Sequence, residues 1–258
     1  MGSTPPNPFL SIIVFIILTI TYFIIKYILQ IKKIATNYLF GVFMIYIGTL
    51  IITELMININ LTNSLCGSNQ WQTAFLVTAV PWILIFGLLN ILLMLFPGWL
   101  IPFSNTFGYG IAKLGGLNNL LNKILKPQDA TGSPQLTKAL ADIYTDRTLL
   151  INEIGISNFD TFWNSLRSGQ LLSKDANNNL KDELKNFVYL KTIVAEFMWF
   201  LLTGILTTSA SYNYIINSAC NQSVKDMQRR HEEYQKEVDS NIQANKEAPP
   251  DRVYSTFE

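Results

Sequence analysis

Between Met1 and Gln72 the chain carries only four charged side chains, Lys26, Lys32, Lys33 and Glu54. A soluble domain cannot be built from so long a stretch, because its surface helices need a charged outer face. A bilayer accepts it. The hydrocarbon layer is about 30 Å thick, so a helix of roughly 20 apolar residues crosses it with every backbone group bonded internally. Four stretches meet that demand: residues 9–25, residues 38–53 (continued by 55–59 beyond Glu54), residues 73–96 and residues 197–216. The last is diluted by Thr203, Thr207, Thr208, Ser209 and Ser211. Over the whole chain 14% of residues are charged, against about 25% in soluble domains, and 49% are hydrophobic. An ordinary soluble enzyme and a disordered chain are both excluded.

Residues 1–8 hold no basic side chain and the apolar run after them is long for a signal core, so the first span reads as a signal anchor. Pro6 stands where a Gly2 myristoylation motif wants Ser or Thr. Lys32 and Lys33 lie between spans one and two, whereas residues 60–72 are uncharged. After span three, Lys113, Lys123 and Lys126 precede the first acid, Asp129. The positive-inside rule therefore puts the first loop and residues 97–191 together on the cytosolic side, with both termini opposite. The N-x-S/T sequences at Asn60 and Asn221, and both cysteines, Cys66 and Cys220, then share the non-cytosolic side. There the two thiols either form a disulfide or stay unpaired. Lys225, Arg229, Arg230 and Lys236, just past span four, argue against that orientation.

Five regions follow: spans one to three over 1–96, an interfacial loop and amphipathic helix over 97–126, a small helical extramembrane domain over 127–191, the fourth span over 192–220, and a charged helical tail over 221–258. In the second region Pro97 and Pro102 are expected to stop helix from resuming. Trp99, Phe103, Phe107 and Tyr109 suit the headgroup zone. Together with Asn105 they form either an interfacial turn or a surface shaped to dock a protein. From residue 111 to 126 apolar positions recur every three or four residues. That pattern predicts a helix lying on the membrane with Lys113, Lys123 and Lys126 toward anionic headgroups; a core helix of the following domain is the other reading. Leu136, Leu140, Ile143 and Tyr144 make a further helical stripe, as do Phe159, Phe162, Trp163 and Leu166, with Ser157 expected as the latter's N-cap.

Little chemistry is available. One histidine (His231) and two cysteines leave no donor set for a metal and no Cys/His nucleophile. No Walker loop, nucleophile elbow or HExxH occurs, and a net charge of +1 gives no field for nucleic acid. No catalytic residue, cofactor or metal is expected. Two acids, Glu54 and Glu196, fall in or beside spans, where an ionisable group is a functional candidate. Glu196 shares a helical face with Thr192, Thr203 and Thr207, either a polar path for ions or a helix-packing stripe.

The run Pro81-Trp82 through Phe96-Pro97-Gly98-Trp99 and Pro102-Phe103-Ser104-Asn105-Thr106-Phe107-Gly108-Tyr109 resembles a segment of membrane proteins of nucleocytoplasmic large DNA viruses. The Ile- and Asn-rich composition is similar to that of AT-rich viral genomes, which some protists share. The resemblance implies an all-α structural protein of the internal virion membrane, tying the bilayer to capsid or minor capsid proteins. The alternatives are an accessory membrane subunit of a protist respiratory or ATP synthase complex, located in the mitochondrial inner membrane, and a small ion or proton pathway.

Overall fold

Residues 9–66, 70–126, 147–217 and 224–247 are described by the computed structural model, and they are mostly helical. Helix α1 spans Phe9–Ile31, α2 Thr36–Cys66 and α3 Trp71–Leu95. Residues 97–114 form a broken helix, α4, and Leu117–Ile124 form α5. A 3-10 turn over Arg147–Glu153 precedes α6, Phe159–Ser168. Helix α7 runs without interruption over Asn178–Asn217, and α8 covers Val224–Glu247. The described residues contain no strand, only an isolated antiparallel bridge between Leu125 and Leu172. Four helices, α1, α2, α3 and α7, are long and apolar enough to cross a bilayer. The chain is an all-α membrane protein.

In α1 the buried positions are Phe15, Thr19, Tyr22 and Phe23, one narrow stripe, while Ile13, Ile17, Ile20 and Ile24 stay exposed. A helix with apolar side chains on its outward face is made for lipid. Inside the bundle the contacts are mostly between rings. Tyr22 stacks on Tyr46 at 4.4 Å, and Phe200 meets Phe23 and Phe86 edge-on at 5.2 and 5.4 Å. Polar pins hold the register: Thr19 Oγ1 lies 2.9 Å from the Tyr46 hydroxyl, and Asn58 Nδ2 donates to Thr78 Oγ1 at 2.8 Å. Gly204 lets α7 close on α1, since a Cβ there would lie 1.9 Å from Phe15 Cζ. Pro81 lacks the N–H that an α-helix needs, and the next turn, Trp82–Gly87, is π-helical.

The extramembrane core is aliphatic by comparison. Leu117, Leu120, Leu121 and Ile124 pack with Ile151, Ile154, Phe159 and Trp163, and Leu184 and Val188 of α7 complete the cluster. This corrects the expectation of a helix lying on the leaflet: the stripe of α5 is covered by protein. Leu184 and Val188 also lie eight to twelve residues, about 12–18 Å, from Glu196. Of the apolar positions over 111–126, Ile111 and Leu114 are the exposed ones. Helix also resumes where a turn was expected, because Pro97 and Pro102 each sit in the first two positions of a helical segment. There the missing N–H would be unbonded anyway. Asn158, not Ser157, is the N-cap residue of α6; its Oδ1 accepts from the Gly155 N–H at 2.7 Å. The stripe at Leu136, Leu140, Ile143 and Tyr144 lies outside the described residues.

Helix α7 belongs to both cores. At about 1.5 Å per residue, its 40 residues make a rod of about 60 Å. Leu184 and Val188 serve the outer domain, and Ile193 serves the bundle. Helix α8 carries Tyr234 and Ile242 exposed, and an i,i+4 pair joins Arg229 to Glu233.

Candidate functional site

Several of the residues marked by sequence, Asn105, Tyr109 and Glu196 among them, stand at one place, the neck where α4, the 3-10 turn and α7 meet at the bilayer edge. Glu196 of α7 pairs there with Lys26 of α1, and about four turns earlier on the same helix Asp182 meets Lys33 at 3.1 Å. These pairs put the first loop and the extramembrane domain at one end of the bundle, as the lysine distribution required. Five residues beyond Glu196, about 7.5 Å along the rod, stands Lys191.

Lys191 is only 3% exposed. Its ammonium donates to the Ile151 carbonyl and, at 3.3 Å, to Asn105 Oδ1. Burial pushes its pKa down to about 8, with the Glu153 carboxylate acting in the opposite direction. Helix α4 can reach this lysine because residue 108 is glycine: a Cβ there would lie 2.4 Å from the Lys191 carbonyl oxygen. The Tyr109 hydroxyl then lies 2.7 Å from Thr148 Oγ1, fastening α4 to the 3-10 turn. Beside Lys191 a cavity of about 430 Å³ opens between α4 and the loop before α6. Its lining is mixed, with apolar Pro97, Leu100 and Ile101 and polar Ser104, Asn105, Glu153, Lys191 and Thr192. Pro97 and Leu100 stand at its bilayer end, for they also border the cleft that contains Lys26 and Glu196.

The five aromatic and amide candidates of α4 therefore separate. Asn105 and Tyr109 turn inward and hold the neck together. Trp99 and Phe107 remain exposed, Trp99 between Phe96 and Trp199 at 5.6 and 5.7 Å, and Phe103 is half-buried against Trp199 at 6.3 Å. The lysines separate too. Lys113 lies over the Tyr109 ring at 5.5 Å and donates to its hydroxyl at 3.2 Å. Lys123 is exposed on α5, and the Lys126 backbone N–H bonds the Leu171 carbonyl at 3.0 Å. On α6, ion pairing and hydrogen bonding with Lys181 hold the Asp160 carboxyl below its usual range.

The two intramembrane acids differ. Glu196 is ion-paired, and the threonines of its face bond their own helix: Thr192 to the Val188 carbonyl, Thr203 to that of Trp199, Thr207 to that of Thr203. Glu54 does not stand near the end of its helix, because α2 extends to Cys66. It is fully buried, it accepts from the Ser11 hydroxyl, and its Oε1 has no partner among the described residues. Cys66 is buried and disulfide-bonded. Cys220, the other cysteine of the sequence, lies outside the described residues, as does Asn221.

Lys191, Gly108 and Gly204 were not marked by sequence. For Lys191 a signal existed: it sits three and seven residues after Val188 and Leu184, a lysine placed on an otherwise apolar stripe. Comparison of the chain with protein-family models, with curated proteins and with solved structures finds no match.

Proposed function

We propose that the chain is a structural membrane anchor, a scaffold that holds a small domain at a fixed height and angle over one leaflet. The observation that carries this reading is the continuity of α7 through both cores. A flexible linker would let the domain wander; a helix packed at both ends does not. The bundle favours the same reading over an ion path, because Glu196 is neutralised by Lys26 and the adjacent threonines are satisfied within their helix.

The resemblance of residues 81–109 supports a finer reading: an anchor in the internal membrane of a large DNA virus, bound to capsid or minor capsid proteins through exposed side chains of the domain. Trp99 and Phe107 on α4 are exposed aromatics available for such a contact. Quantitative mass spectrometry of gradient-purified particles, with lysine cross-linking, tests it. The chain should be present in stoichiometric amount, with Lys123 cross-linked to shell proteins. Recovery in mitochondrial membranes alone would replace this reading with the respiratory-complex subunit.

A further inference from the structure

The geometry points to the neck cavity as a binding site for one phospholipid whose headgroup carries a primary ammonium: the phosphate oxygens accept from Lys191, and the ammonium donates to Asn152 and Glu153. Three independent observations meet here. First, the ammonium of Lys191 has three N–H groups and two protein acceptors, Ile151 O and Asn105 Oδ1, so one donor remains at the cavity it lines. Second, Asn152 Oδ1 is a buried acceptor with no donor among the described residues, and Asn152 and Glu153 line the same space. One donor and two acceptor side chains ask for a ligand with both an anion and an N–H cation; a simple anion would meet Glu153 unfavourably. Third, the end of the cavity toward the bilayer carries apolar side chains: Pro97 and Leu100 line it and also border the cleft that contains Lys26 and Glu196. A water-soluble phosphate ester has no group for that end, whereas a lipid has its glycerol and acyl chains.

Lys191 itself gives the occupant an energetic role. A buried ammonium hydrogen-bonded to a carbonyl and an amide, with the Glu153 carboxylate offsetting only part of its burial, remains under-compensated, consistent with its depressed pKa. A phosphate beside it supplies the missing charge. An ethanolamine headgroup fits; choline does not, since its nitrogen has no N–H to donate.

The inference rests on the membrane placement of the bundle, not on the scaffold reading or on any virion. The test uses the full chain in detergent, titrated with phosphatidylethanolamine, phosphatidylcholine or phosphatidylglycerol of matched acyl chains and read by native mass spectrometry. Phosphatidylethanolamine should be retained about tenfold more tightly than phosphatidylcholine, the worth of one charge-assisted hydrogen bond. Glu153→Gln and Asn152→Leu, both away from α7, should abolish that preference while leaving phospholipid bound. Lys191→Met should weaken all three lipids, with far-UV circular dichroism confirming an unchanged helix content. O-phosphoethanolamine, the free headgroup, should compete only at far higher concentration; competition at equal concentration would make the ligand a soluble phosphate ester and overturn the lipid assignment. Equal retention of the three lipids by the wild type, or an undiminished preference in both Glu153→Gln and Asn152→Leu, would overturn the site.

Discussion

The two cores of this molecule use different residues because they face different solvents. The bundle is held by rings and hydroxyls, with Tyr22, Tyr46, Trp82 and Phe200 interlocked and Thr19 and Asn58 pinned. The outer domain is held chiefly by leucine and isoleucine around Phe159 and Trp163. In lipid, burying another methyl group gains little, since hydrocarbon surrounds the helix anyway, and association depends on shape, dispersion and hydrogen bonds. In water each buried methylene contributes about 0.8 kcal/mol, so aliphatic side chains suffice. The exposures follow: Ile83 is 67% exposed in the middle of α3, while Leu121 is 1% exposed. The same class of residue is read oppositely at either side of Lys26 and Glu196.

That contrast can be broken experimentally. Phe159→Ala should cost the outer domain about 3–5 kcal/mol, whereas Phe15→Ala should cost the bundle about half as much, because only the cavity term survives in lipid. Equal losses, measured by thermal unfolding of the domain and by steric trapping of the bundle, would refute the two-solvent account. Tyr189→Pro interrupts α7 between the cores and should cost about 3 kcal/mol. Hydrogen exchange should rise over 117–124 and 159–168 while the spans stay protected; protection retained in the domain would show that α7 is not its pillar. Gly108→Ala drives a methyl group into the Lys191 carbonyl and should cost about 1–3 kcal/mol. Its signature is loss of protection over α4 alone.

The smallest effect is a pH dependence confined to the neck. The pKa of Lys191 is lowered from 10.5 to about 8 on folding, so between these values the unfolded chain binds more protons than the folded one. Stability contributed by this site therefore rises as pH rises from about 8 toward 9, by about 1 kcal/mol. Subtracting the profile of Lys191→Met from that of the wild type isolates it. A difference that stays flat or falls over this range contradicts the burial of the charged lysine.

The spans were legible because length and charge depletion are local properties of the sequence. The apolar stripe over 111–124 was legible, but periodicity reports that a face is apolar and not what covers it. Protein covers Leu117 and Ile124 here, as only the fold could tell. The prolines at 97 and 102 misled for a related reason: they forbid helix in an interior and are harmless at an N-terminus, and sequence does not announce where a new helix starts. Partners far apart in the chain, such as Lys26 with Glu196 or Gly204 with Phe15, leave no local trace. The docking aromatics were half legible. Composition marked Phe107 and Tyr109 alike, yet one faces outward and the other is fastened to Thr148.

An unbroken rod shared by lipid and water also works as a pointer. Spans tilt when the surrounding hydrocarbon thins or thickens, and a stiff extension converts that angle into displacement. From Glu196 to its start α7 projects about 27 Å, so each ten degrees of lean sweeps the outer domain sideways by about 5 Å. Whatever grips that domain thereby senses, and in turn constrains, the thickness of the bilayer beneath it.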